Sequence, residues 1–316
     1  MPTFSIVEVD IVNPNPTGVY QDVTVAGTAI RTVSATNQLR VGTKILPGYT
    51  MGQYETSLGL NNLSLATGAS NTAIGYQTLM SSTTGFQNTG VGAFALQDNT
   101  TGSSNTAVGL NALQKNTTGQ QNCVLGQSAG YHNTTGNLNV LFGSFAGTAL
   151  TTASNNIFIG SSAGLLTTTG SNNVIVGDGM YTALPTTSNS ITLGNSSSNV
   201  LRCNVTSITS LSDARDKEDV VELAAGLEFV KELNPVSFVW NDREETGKHG
   251  VKDFGFIAQD LKATQEKHDM AETLGLVYEE NPEKLEASYG KLIPILVKAI
   301  KELSAKVEAL ESKKKK

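Results

Sequence analysis

Charge is scarce in this chain. Charged side chains make up only 16% of its 316 residues, against about a quarter in ordinary globular proteins, and residues 51–210 hold just five of them: Glu55, Asp98, Lys115, Asp178 and Arg202. No stretch approaches the roughly 18 continuous apolar residues of a spanning helix, and the opening MPTFSIVEVDIVNPNP has no basic start followed by an apolar run. Membrane insertion and a secretory leader are therefore not expected. There are only two cysteines, Cys123 and Cys203, well separated and without a metal-ligand partner nearby, which argues against a disulfide framework and a zinc site. The three histidines, His132, His249 and His268, have no Ser, Cys or Asp partner at a meaningful spacing and read as surface residues. The net charge of −6 gives no general attraction to nucleic acid, and the one dense basic run, Lys313 to Lys316, reads as a solubility tail. No cofactor and no metal are implied.

The charges also divide the chain: residues 1–50 hold six, 51–210 hold five and 211–316 hold 39, which predicts a boundary near residue 210. The middle section is Asn, Thr, Ser, Gly and small apolar residues, a composition that alone points to disorder. Its periodicity overturns that reading. Gly75, Gly92, Gly109, Gly126, Gly143, Gly160, Gly177 and Gly194 recur every 17 residues, each preceded by Ile, Val, Leu or Phe. Four residues ahead stands Asn71, Asn88, Asn105, Asn122, Asn139, Asn156 or Asn173, with Ser190 closing the series, and Gly59 marks a worn first repeat one residue out of phase. Thr-Thr-Gly turn signals follow at Gly85, Gly102, Gly119, Gly136 and Gly170.

One such coil is too small to bury its own apolar side, so coils must stack and share a core, which predicts a β-solenoid with 17-residue repeats. At about 4.8 Å per coil, eight coils reach roughly 40 Å. In Asn71-Thr72-Ala73-Ile74-Gly75 the expected inward positions are 72 and 74, strengthened later by Val140 and Phe142, Ile157 and Ile159, Val174 and Val176. Ala95, Ala112, Ala129, Ala146 and Ala163 give a second inward position, and Asn in register can form amide ladders. Asn99, Asn116, Asn133, Asn195 and Asn204 fit the glycosylation sequon, a match expected by chance in an Asn- and Thr-rich repeat. The turns from Asn99 to Gly102 and their equivalents are candidates for outside contacts by exposure alone.

The repeats resemble the glycine-punctuated β-roll and β-helix heads of trimeric adhesins and viral fibres, a resemblance that implies three chains, side by side or interwoven. Residues 1–50 read as a small β module with alternation in Ser5–Val12 and Asp22–Val25, and are expected to attach to the particle. A polysaccharide depolymerase is a competing reading. It needs two carboxylates facing one bond across about 5 to 10 Å, whereas Asp98 and Asp178 lie nearly five coils apart. A cellular trimeric adhesin with a chaperone cap is the other alternative.

The charged region, residues 211–316, opens with Leu211-Ser212-Asp213-Ala214-Arg215-Asp216-Lys217-Glu218-Asp219-Val220. Ser and Lys five apart would sit about 140° apart on a helix, so only a loop or strand end can aim both at one atom. This segment, then Gly226–Val230, Leu233–Trp240, Gly255–Leu261 and Tyr289–Leu303, resembles the C-terminal intramolecular chaperone domain of viral tail spikes and fibres, also classed as the S74 self-cleaving peptidases. Glu218-Asp219-Val220 departs conservatively from the Asn and Ile often found there. The resemblance implies an α+β domain that assembles as a trimer, helps the fibre fold and then cuts itself off once, with Ser212 as nucleophile and Lys217 as general base. The cut is expected at the Leu211-Ser212 junction, and Asp213 and Arg215 are expected to pair or cap. A lysine can serve as base only where burial or neighbours favour its neutral form, so cleavage would report assembly.

A closing helix is expected over 289–312, regular from near Leu292 because Pro294 fits best in a first turn. Tyr289, Ile293, Leu296, Ile300, Leu303, Val307 and Leu310 alternate in steps of four and three, the seam of a left-handed coiled coil. The same stripe would suit a helix packed on its own domain. The seam's residue types lean toward two strands, whereas the resemblance implies three.

The combined expectation is a mainly β chain: an elongated trimeric β-solenoid shaft, then a chaperone domain ending in a coiled-coil-like helix. The resemblance implies a virion fibre for host-surface attachment, expected to assemble in the host cytoplasm. Its partners would be two further copies, a host receptor or glycan, and other virion proteins through the N-terminal region.

Overall fold

The computed structural model describes residues 22–25, 28–33, 38–42, 54–63, 67–179, 184–194, 212–241 and 249–314. The chain divides into two compact units, Met1–Asn195 and Ser196–Lys316. In the first, strands β1 (Asp22–Val25), β2 (Thr28–Val33) and β3 (Gln38–Gly42) pair antiparallel. From β3 onward every pairing is parallel. The strands are β4 (Thr56–Leu58), β5 (Thr72–Ile74), β6 (Thr89–Val91), β7 (Thr106–Val108), β8 (Cys123–Leu125), β9 (Val140–Phe142), β10 (Ile157–Ile159), β11 (Val174–Val176) and β12 (Ile191–Leu193), and they join one 12-stranded sheet in chain order. Thr72 pairs with Thr89 and Thr89 with Thr106, one repeat apart, which makes this a β-solenoid with one short strand per 17-residue coil. Thr56 pairs with Thr72, so the first coil is one residue short, as the phase of Gly59 requires.

The buried asparagines explain the register. The side-chain oxygen of each accepts the backbone N–H of the asparagine one coil on, from Asn88 N to Asn71 Oδ1 (2.9 Å) up to Asn173 N to Asn156 Oδ1 (3.0 Å). The amide nitrogen donates across the coil, as Asn122 Nδ2 does to the Gly136 carbonyl at 2.9 Å. Buried polar groups are thereby satisfied in a column rather than singly. Buried Glu55 starts the column, accepting from Asn71 Nδ2 at 2.9 Å, and Ser190 closes it by donating to Asn173 Oδ1 at 2.8 Å. Asn99, Asn116 and Asn133 form a second buried ladder, with Asn116 Nδ2 donating to Asn99 Oδ1 at 2.7 Å. These three sequons are therefore structural asparagines; Asn195 and Asn204 lie outside the described residues.

One expectation is reversed. The central residue of each strand faces the core: Ala73, Ala107, Val124, Leu141, Phe158 and Ile175 are buried, whereas Leu125, Phe142, Ile159, Val176 and Leu193 are exposed. The ladder dictates this, because Asn71 points inward and successive side chains alternate, so Thr72 and Ile74 must point outward. Ala95, Ala112, Ala129, Ala146 and Ala163 do line the core.

The core also changes hands along the axis. Where the strand centre is small, at Ala73, Gly90 and Ala107, a buried leucine fills the coil at Leu79, Leu96 and Leu113. Where it is larger, at Val124, Leu141 and Phe158, glycine takes that place at Gly130, Gly147 and Gly164. All six backbones have φ between 50° and 66°, so glycine also relieves a strain that the leucines carry. The 17-residue glycines have a different reason. A Cβ on Gly75 (φ 144°) would stand 2.5 Å from the Gly92 carbonyl oxygen, so the coils stack backbone on backbone there.

The second unit contains a 3₁₀ turn (Ala214–Asp216), α1 (Leu227–Glu232), a hairpin of β13 (Val236–Val239) and β14 (Lys252–Gly255), α2 (Ala258–Lys267) and α3 (Ala271–Leu274). A small pair of β15 (Val277–Tyr278) and β16 (Glu286–Ala287), then α4 (Leu292–Lys314), complete it. Its core gathers Ala225, Phe229, Leu261, Leu274, Leu276, Leu292 and Ile295. Buried Gln265 fastens α2 to the β15 approach by accepting the Leu276 N–H at 2.9 Å. Helix α4 starts where Pro294 sets it, and buries Leu292, Ile295 and Ala299. The stripe of Ile293, Leu296, Ile300, Leu303, Val307 and Leu310 lies on other faces and is exposed throughout. The stripe is thus not what packs α4 on its own domain.

Candidate active site

The residues from Ser212 to Glu222 are exposed, and a single 3₁₀ turn shapes them. Asp213 is extended and caps the turn, its Oδ1 accepting the Arg215 N–H at 2.9 Å. The Arg215 guanidinium reaches back to the same carboxylate, with Nη2 2.6 Å from Oδ2 and Nε 3.1 Å from Oδ1. This pairing holds the Asp213 carboxyl below the usual carboxylate range and the Arg215 guanidinium above its own. Lys217 leaves the turn in an extended conformation, its N–H donating to the Ala214 carbonyl at 3.3 Å.

The turn, with an extended residue on either side, brings residues five apart into contact, which a regular helix does not do. Lys217 Nζ donates to Ser212 Oγ at 2.5 Å and to the Ser212 carbonyl oxygen at 3.3 Å. With Asp213 engaged by Arg215, the amine is left to the serine; among the described residues Lys217 enters no ion pair. A hydroxyl with an amine in direct contact is the minimum a serine nucleophile needs. Leu211, the other half of the expected junction, lies outside the described residues.

The other candidate groups go elsewhere. His268 packs edge-on against Phe229, with ring centroids 5.2 Å apart, and its Nε2 lies 3.3 Å from Glu232 Oε2. His132 packs against Tyr131, and His249 is exposed. In the solenoid, Glu55 is held in the asparagine column and Asp98 by Lys115 at 2.9 Å, so neither is a free carboxylate facing a partner. Among the described residues no group of three His, Cys, Asp or Glu could hold a metal, and no helix is long and apolar enough to cross a membrane.

Two residues that sequence reasoning passed over bear on this segment. Lys298 on α4 donates to the Leu223 carbonyl and lies 3.1 Å from Glu222 Oε1. Glu302 Oε2 accepts the Leu227 N–H at 2.7 Å. Their partners are 75 residues away, and only the four-residue spacing between the two hinted at a shared face.

The geometry defines a class: a β-solenoid followed by a small α+β unit that opens on a serine–lysine contact. Residues 212–270 match the family model of the chaperone of endosialidase, Peptidase S74, so the match begins at Ser212 and takes in the turn, α1, the hairpin and α2. That family implies autoproteolytic serine peptidase activity and an intramolecular chaperone role. Neither the curated proteins nor the solved structures contain a match to the chain. The helix motif Tyr289–Leu303 falls beyond the matched residues.

Proposed function

We propose that this protein is a trimeric virion fibre for host-surface attachment, whose C-terminal domain drives assembly of the shaft and then cleaves the Leu211-Ser212 bond once. The observation that carries the reading is the 2.5 Å contact between Ser212 Oγ and Lys217 Nζ at the start of the S74-matched segment. In the cleaving state a neutral Lys217 amine accepts the hydroxyl proton while Oγ attacks the Leu211 carbonyl carbon. The proton passes to the departing Ser212 nitrogen, which leaves Leu211 as an ester on Oγ. Water then hydrolyses that ester, giving a Leu211 carboxylate and a Ser212 amine and hydroxyl.

The single chain leaves this pair exposed, whereas a lysine that acts as a base needs burial or suitable neighbours. Packing of neighbouring chains over the segment would supply the missing burial and tie the chemistry to assembly. The exposed stripe on α4 supports that assembly, because a contiguous apolar seam in water marks a surface made to be covered. The outward apolar columns at Leu125, Phe142, Ile159 and Val176 support contact between chains along the shaft in the same way. Attachment to the particle through residues 1–50, and a receptor or glycan partner, are parts of the proposal carried by the fibre architecture. N-terminal sequencing of the small product tests the cut: it should begin Ser-Asp-Ala-Arg, and any other start would overturn the assigned junction.

A further inference from the structure

Helix α4 presents different faces to different tasks. Its exposed stripe awaits a partner, its buried face packs on the domain core, and Lys298 and Glu302, one turn apart, reach the chain that follows the Ser212–Lys217 turn. From Ser212 to Glu222 that chain is exposed, Val220 and Val221 included at 79% and 86%. Among the described residues, the first hydrogen bond and ion pair that tie it to the rest of the domain beyond Lys217 are those made by α4, alongside the packing of the Leu223 side chain on the core. Lys298 Nζ takes the Leu223 carbonyl and the Glu222 carboxylate, and the Glu302 carboxylate caps α1 through the Leu227 N–H. The two α4 residues also face each other, Nζ to Oε1 at 3.7 Å.

Gly226 lies against the same carboxylate: a Cβ there would stand 2.4 Å from Glu302 Oε1, so any side chain at this position would make the carboxylate shift from its place at the start of α1. The grip is polar and directional, and it fixes the chain five to ten residues after Lys217 to the same helix that carries the assembly seam.

We propose that Lys298 and Glu302 are positioning residues for the self-cleavage step. They hold residues 222–227 on α4 so that the dyad turn is carried to its working place when the helices of neighbouring copies join. The inference rests on Ser212 and Lys217 being the cleaving pair. Neither α4 residue touches the reacting atoms; they act through the backbone between Leu223 and Lys217. A displacement of about 1 Å at a reacting group typically costs a large factor in rate, so loss of the grip should be read in the cleavage rate rather than in assembly.

The experiment uses the full chain as wild type, Lys298→Met, Lys298→Arg, Glu302→Gln and Gly226→Ala. It follows the uncut fraction over time by intact mass, the oligomeric state by native mass, and the pH dependence of the rate. Lys298→Met should slow cleavage at least about tenfold with the oligomeric state unchanged and the midpoint of the pH profile in place, because the base is still Lys217. Arginine, which keeps the donor, should restore the rate to within about threefold. Gly226→Ala should behave as Glu302→Gln does, slower than wild type and equally assembled. Wild-type rates in Lys298→Met, loss of assembly in that variant, or no rescue by arginine would each overturn the inference while leaving the cleavage reading intact. A wild type that assembles but never cuts would remove the cleavage reading itself, and this inference with it.

Discussion

A Cβ placed on Gly164 would stand 2.2 Å from the ring of Phe158, the largest fully buried side chain of the solenoid. The pair is one member of an exchange that runs through the shaft: a leucine opposite a small strand centre near Ala73, a glycine opposite a large one near Phe158. Gly164→Ala should therefore destabilise the shaft by about 1–3 kcal/mol through overpacking, and Phe158→Ala by about 3–5 kcal/mol through a cavity. Phe158→Ala combined with Gly164→Leu should recover a good part of the loss, since coils at Ala73 and Leu79 already use that arrangement. Denaturant unfolding of Phe158→Ala, Gly164→Leu and the double variant measures the coupling, and strict additivity would contradict the exchange.

The asparagine column makes a second, sharper demand. Asn122→Ala removes the acceptor for the Asn139 N–H and the donor to the Gly136 carbonyl, both buried. At about 1–3 kcal/mol for each buried group left unsatisfied, the loss should exceed that of an exposed change such as Thr118→Ala by several kcal/mol. Thermal unfolding of the two variants side by side checks it.

How much of this was legible beforehand differs by level. The 17-residue period fixed the solenoid, its coil count and the short first coil at Gly59, because stacking converts a repeat directly into a register. The inward face is not legible in the sequence. A three-residue strand such as Thr72-Ala73-Ile74 alternates equally well either way, and only the buried side chain of Asn71 sets its phase. The apolar flanks of later coils, at Ile157 and Ile159, look like core residues by composition but lie on the exposed face. The five-residue spacing of Ser212 and Lys217 excluded a helix, yet the 3₁₀ turn capped by Asp213 came only from the fold. The contacts of Lys298 and Glu302 join residues 75 apart, beyond any local pattern.

On α4, polar substitutions should separate folding from assembly. Leu303→Asp alters a residue that is half exposed in the single chain, so the domain itself should change by under about 0.5 kcal/mol. Joining of chains and the cleavage that depends on it should both be lost. Ile295→Asp, at a position 1% exposed, should unfold the domain outright. Native mass and far-ultraviolet circular dichroism on both variants distinguish the two effects.

Acid should loosen the second unit in a defined direction. Arg215 holds the Asp213 carboxyl below its ordinary range, Lys231 and then Lys306 do so for Glu228, and Lys267 for Glu232. Carboxyls lowered in the folded state lend stability that is complete above their unfolded values, about 4, and that is lost as pH falls through the folded ones. The melting temperature of the unit should therefore be flat from neutrality to about pH 5 and fall below about pH 4. All three pairs are solvent-exposed, so the fall should be shallow and weaken further in salt. Stability rising on acidification would contradict the assignment.

The central claim is that Ser212 and Lys217 cut the chain once it has assembled, and intact mass with native mass on wild type, Ser212→Ala and Lys217→Ala tests it most directly. The account predicts that wild type divides after Leu211 into a trimeric shaft and a small C-terminal piece, while both variants remain whole and trimeric. A wild type that stays whole as a trimer would leave the domain a permanent cap and contradict the peptidase chemistry, and a whole monomer would contradict the fibre as well.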